Sequence, residues 1–256
     1  MTLEVCVDTS AGLAEAVAGG ADRIELCSAL ALGGLTPSAG FMAEAAGCGL
    51  PVMAMIRPRA GDFTFSDKEL AQMETDIATA LATGLAGVVL GCSLPDGRLD
   101  LQALRRLRAA AGPLDCTLHR AFDLVPDQAE ALEQAVSLGF RRILTSGGEV
   151  TAEAGAGRIA ALLAQARGRI SIMPGSGISP ANAARFVAMG AAELHASCAR
   201  LFPVTGRAVE LGFAPAAGRQ TEAAAVRALR HSLPQPAGSL TRRGIGATLP
   251  ASGDRQ

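Results

Sequence analysis

Two short segments of the chain read Glu-x-Cys: Glu4-Val5-Cys6 and Glu25-Leu26-Cys27. Alternate side chains of a strand share a face, so each segment presents a carboxylate and a thiol together. On adjacent strands, about 4.8 Å apart, Cys6 and Cys27 would occupy equivalent places and their side chains could meet. Two thiolates at that spacing suit one soft ion such as Cu(I) or Zn. No CxxC pair occurs, which argues against a four-ligand structural zinc site. The nearby carboxylates raise the thiol pKa and oppose thiolate formation, while Arg57 would favour it. The plainer reading makes each Cys a small apolar filler.

Other reactive groups fall in similar runs. Arg57, His119 and His195 stand at or near the ends of β-like segments, and Asp123 follows His119 closely. With Glu25 they are the candidate catalytic residues. His119 or a carboxylate would move a proton, and Arg57 would stabilise developing negative charge. A buried unpaired charge is costly, so Glu25 or Glu4 is expected to pair with Arg57. Two glycine-bearing loops add a candidate anion cradle. One contains Ser146, Gly147 and Gly148; the other contains Gly175, Ser176 and Gly177 and leads toward a helix. Backbone N–H groups approach an anion closely there, and a helix N-terminus adds a favourable dipole. The alternatives are a structural polar network and ordinary tight turns.

These residues need a scaffold, and the hydrophobic pattern supplies one. Strands are expected at 3–7, 23–27, 52–57, 87–91, 116–119, 142–145, 170–173 and 193–197, with helices between them. Ser66 with Glu69 has capping-box spacing, and Asp127 with Glu130 repeats it. Thr36-Pro37 and Ser179-Pro180 place a cap before a first-turn proline. Gly20, Gly84, Gly139 and Gly190 each end a helix before the next strand. Eight such units imply an α/β fold, the (β/α)8 TIM barrel, whose active sites lie at the C-terminal ends of the strands. The runner-up is an open doubly wound sheet, but no GxGxxG follows the first strand. One domain is expected over 1–232, with an irregular last helix from Thr221 to His231. A disordered tail is expected over 233–256.

Composition narrows the partners. With 256 residues, a formal charge of −1 and eight Phe but no Trp or Tyr, the chain lacks a nucleic-acid footprint or an aromatic stacking platform. No apolar run reaches membrane-spanning length. The first residues lack a basic leader, and six Cys then read as free thiols in a reducing cytoplasm. The expected partner is a copper ion or a small anionic metabolite, with a homo-oligomer left open.

Several motifs together resemble the CutC copper-homeostasis family. They are Glu4-Val5-Cys6-Val7-Asp8, Gly19 to Cys27, Gly33-Gly34-Leu35-Thr36-Pro37-Ser38, and Met55-Ile56-Arg57-Pro58-Arg59 with Gly61-Asp62-Phe63. His119-Arg120-Ala121-Phe122-Asp123, Leu144 to Gly148, and Met173-Pro174-Gly175 with Gly177-Ile178 complete the set. The match runs in order from residue 4 to about 198. Ala60 and Ser176 stand where the family pattern has Gly. The resemblance implies a cytoplasmic TIM barrel with a role in copper tolerance that binds Cu(I) through Cys6 and Cys27. It also places Arg57, His119, Arg120, Asp123 and His195 in the family's polar motifs. The other reading is a TIM-barrel enzyme, a lyase or isomerase acting on a small phosphorylated or anionic metabolite.

Overall fold

A computed structural model describes residues 1–234. Eight parallel strands alternate with helices: β1 (Thr2–Val7), α1 (Ser10–Gly19), β2 (Arg23–Leu26), α2 (Ala39–Ala46), β3 (Val52–Met55), α3 (Asp67–Ala82), β4 (Gly87–Leu90) and α4 (Leu101–Ala111). β5 (Asp115–Leu118), α5 (Gln128–Ser137), β6 (Arg142–Thr145), α6 (Ala156–Ala166), β7 (Ser171–Pro174), α7 (Ala183–Ala188) and β8 (Glu193–Ala196) follow. The ladder runs β7-β6-β5-β4-β3-β2-β1-β8, and β7 lies beside β8 to complete the barrel. The chain is thus a (β/α)8 barrel. The expected tail lies, from residue 235 on, outside the described residues.

Local chemistry sets most helix starts. Ser66 and Glu69 form the reciprocal capping box, and Asp127 accepts from the amides of Ala129 and Glu130. Two expected starts move. Ser38, not Thr36, caps α2 by accepting from Phe41 N. Thr36 is engaged elsewhere: its hydroxyl accepts from Arg57 N and its amide donates to Arg57 O, clasping the loops after β2 and β3. α7 begins at Ala183 rather than after Ser179, because Asn182 Oδ1 draws in Ser179 N and holds a turn there.

A hairpin was not foreseen. β9 (Ala199–Pro203) pairs antiparallel with β10 (Ala217–Thr221), and the short α8 (Arg207–Glu210) lies between them. Both strands are largely solvent-exposed, so no inside-outside alternation marks them. Thr221 therefore ends a strand, and α9 (Ala223–Ser232) begins later than the sequence pattern indicates. α9 packs on α1, where a Cβ at Gly19 would lie 2.4 Å from Val226 Cβ; only glycine permits that approach.

Strand alternation divides the interior in two. Leu3, Val5 and Val7 of β1 join Ile24, Leu26, Ala54 and Leu194 in the apolar layer between strands and helices. Glu4 and Cys6 point the other way, into the lumen. The lumen is not filled by Val, Ile and Leu as in most such barrels; it holds a relay of charges. Asp115 meets Arg142 at 2.7 Å, and Arg142 Nε meets Glu193 at 3.0 Å. Glu193 pairs with Arg23, Arg23 with Glu4, and Glu4 with His195. Register makes this contact: Glu4 lies level with Arg23 on one neighbouring strand and His195 on the other. The expected pairing of Glu4 or Glu25 with Arg57 is not formed; Arg23 takes that place.

Breaking a buried pair strands its partner, at a cost of about 3–5 kcal/mol. Arg23→Met leaves Glu4 and Glu193 without their shared cation, so urea unfolding should show a loss of that order. A loss under about 1 kcal/mol would show that the relay carries little of the stability.

Candidate functional site

At the C-terminal end of the barrel the relay opens into a cavity of 370 Å³. Cys6, Glu25 and His195 lie on its wall, with Arg57, Phe63 and His119 also lining it. Ser176 and Gly177 border it from the loop after β7, and Arg219 from the unforeseen hairpin.

The register explains which groups meet. Cys6 pairs in Cα register with Glu25, and His195 lies one strand away beside Glu4. Donor atoms of Cys6, Glu25 and His195 all fall within 4.8 Å of one another, and all three residues are buried. Cys27 does not occupy the place equivalent to Cys6. It stands two residues beyond the Glu25 level and packs against Met53, Met55 and Val89. Its Sγ donates to Glu25 Oε2 at 3.6 Å, and it does not line the cavity. Burial pushes the Cys27 thiol pKa well up, and the charges of Glu25 and Cys6 add to this.

Electrostatics divide the carboxylates. Burial alone would raise the Glu4 pKa, but Arg23 and His195 outweigh it and hold the carboxyl down at about 2. Glu25 lacks a guanidinium partner; burial raises its pKa, opposed by His195 and supported by Glu4. Desolvation works against a charged His195, yet Glu25, Cys6 and Glu4 together raise its pKa well above 6.5. His195 Nδ1 lies 2.8 Å from Glu4 Oε1, which fixes the ring and leaves Nε2 facing Glu25 at 3.8 Å.

His119 is the opposite case. Burial and the nearby Arg57 lower its pKa to about 3. Its Nδ1 accepts from Ala121 N at 3.1 Å, so the proton of the neutral ring sits on Nε2. The ring fits because residue 91 is Gly: a Cβ there would lie 2.5 Å from His119 Cε1.

The first glycine loop already holds an anion, and it is the protein's own. Asp123 Oδ1 accepts from Ser146 N at 3.1 Å and from Gly148 N at 3.0 Å, and Thr145 Oγ1 donates to it as well. Arg120 Nε donates to Oδ2 at 2.7 Å. Gly147 N turns inward to Thr145 Oγ1. Asp123 thus ties the loop after β5 to the loop after β6, and Ser146, Gly147 and Gly148 do not line the cavity. In the second loop Gly175 lies against His195, while Ser176 and Gly177 reach the cavity edge. Ser176 has φ +75°, a left-handed conformation that favours Gly, and its Oγ donates to Val150 O at 2.7 Å. That backbone accounts for the Gly expected there.

A family model described as the CutC family matches residues 1–200. The chain belongs to the CutC family. A CutC protein of Rhizobium meliloti (strain 1021) is 55% identical over 239 residues, covering 93% of this chain and 98% of that one. The human protein named copper homeostasis protein cutC homolog is 46% identical over 197 residues, covering 76% of this chain and 72% of its own. The crystal structure of a CutC protein from Streptococcus agalactiae superimposes with a TM-score of 0.74 at 34% identity, covering 77% of this chain and 98% of that one. The CutC resemblance and the TIM barrel read from the sequence therefore hold. Among the described residues, no helix is long and apolar enough to cross a membrane.

The depressed His119 pKa has a measurable consequence. The unfolded imidazole takes up a proton below its ordinary 6.5, whereas the folded one resists until about 3. Protons favour the unfolded chain in that window, so stability falls as pH falls. Urea midpoints measured from pH 7 to pH 4 should drop more steeply for the native chain than for His119→Gln. Parallel profiles would contradict a buried neutral His119.

Proposed function

We propose that the chain is a copper homeostasis protein that takes one copper ion as cargo at Cys6, His195 and Glu25. The arrangement of Glu4 behind His195 carries this reading. Metal-binding histidines commonly give their second ring nitrogen to a carboxylate, which sets the tautomer and strengthens the ligand. Here Glu4, itself held by Arg23, orients the ring so that Nε2 faces Cys6 and Glu25. Copper displaces the proton from His195 Nε2 and from the Cys6 thiol as it binds, and the thiolate and imidazole that result suit it. Glu25 Oε1 is buried without a hydrogen-bond partner, a free acceptor beside those donors.

In this reading Cys27 acts through Glu25. Its hydrogen bond to Glu25 Oε2 holds the carboxylate in place, and its apolar surroundings keep the thiol protonated. The thiol pair read from the sequence is thus divided between a ligand and a supporting residue. The six free cysteines fit a reducing compartment, the cytoplasm.

Titration of Cu(I) against a competing chelator tests the assignment. Cys6→Ser and His195→Gln should weaken binding by about 100-fold or more, Glu4→Gln by about 10- to 100-fold, and Cys27→Ser by about threefold at most. Unchanged affinity in Cys6→Ser, or an equal loss in Cys27→Ser, would overturn it.

A further inference from the structure

The cavity is far larger than one ion needs, and its far wall carries a buried cation with no counter-charge. Arg57 is 5% exposed. Its Nη1 donates to the carbonyls of Leu32 and Gly34, and its Nη2 to the carbonyl of Gly61. Its Nε has no partner, and among the described residues no carboxylate pairs with it. Guanidinium stays charged in proteins, so this positive charge is held inside the barrel mouth uncompensated. A structural clamp on three carbonyls accounts for the Nη atoms and not for the free Nε or the charge.

His119 supplies a second donor. It is 3% exposed, and its protonated Nε2 is also without a partner. Phe63 holds the two groups together: the Arg57 guanidinium lies 4.7 Å from its ring centre, and the His119 ring lies 4.6 Å from it at a tilt. Both side chains line the cavity. A fixed guanidinium with no carboxylate partner and a neutral imidazole beside it give this part of the cavity wall a net positive charge, which favours an anion. The other cavity arginines are differently placed: Arg120 is engaged by Asp123, and Arg219 is exposed and donates to Ser197 Oγ.

We infer that the cavity binds a small organic anion whose carboxylate or phosphate is held against the uncompensated charge of Arg57, beside His119. Its size suits a metabolite of a few carbon atoms, at the lower end of ligand pockets. A ligand seated there has its other end in the space bordered by Cys6, Glu25 and His195. The anion site uses none of the proposed copper ligands and stands or falls without them.

Calorimetric titration of the full chain, freed of metal by chelator, tests the inference with inorganic phosphate, glycerol 3-phosphate and lactate. One-to-one binding at millimolar or lower concentration by a phosphate or by the carboxylate is expected; which of them binds assigns the anion class. Arg57→Gln and His119→Leu should each weaken the binding at least tenfold, while Cys48→Ser, outside the cavity lining, leaves it unchanged. Because Arg57 also clamps two loops, thermal melts accompany each variant. If Arg57→Gln does not fold, His119→Leu, which touches none of those carbonyls, decides. Absence of binding by all three probes, or native affinity in the folded variants, would overturn the inference.

Discussion

The thiol-imidazole wall at the mouth of this barrel depends on one buried carboxylate. Glu4 has no solvent contact, and both its oxygens are engaged, one by Arg23 and one by His195. An unpaired carboxylate could not persist there. Arg23 stabilises it from below and is itself shared with Glu193, which Arg142 holds, and Arg142 pairs in turn with Asp115. The relay therefore runs from the N-terminal end of the barrel to His195. It fixes the imidazole in one orientation beside Cys6 and Glu25, and a rigid orientation is what a ligand or a proton carrier needs.

The cavity above this point has two electrostatically distinct walls. On one, Glu25 and Cys6 face His195, whose charge is favoured by the acidic groups around it. On the other, burial together with the charge of Arg57 keeps His119 neutral and donor-bearing. The first wall carries a thiol, a carboxylate and an imidazole, and the second a fixed guanidinium. Phe63 between Arg57 and His119, and Asp123 clasping the loop after β6, hold the second wall still without entering the chemistry.

Much of this was legible in the sequence. Repeated Gly at helix ends, Ser66 with Glu69 and the short β-like runs mark eight units because those signals are local. Glu25, Arg57, His119 and His195 were also legible, as polar groups where the lumen is normally apolar. Register was not: the stagger between β1 and β2 sets Cys6 against Glu25 instead of Cys27, and a stagger leaves no mark in composition. Arg23, Arg142 and Glu193 stand at strand starts, where a charge reads as surface until the barrel closes around it. Ser146, Gly147 and Gly148 were recognisable as an anion cradle, but Asp123 as its occupant needed two loops brought together. Arg219 came from a hairpin whose exposed strands carry no periodic signal.

The claim that the relay presents a mixed thiol-imidazole site, rather than a thiol pair, is open to direct spectroscopy. X-ray absorption at the copper edge of the Cu(I)-loaded full chain counts sulfur neighbours. A single sulfur with nitrogen or oxygen neighbours, lost on Cys6→Ser, is the predicted result. Two sulfur neighbours, or none in the native chain, would contradict it.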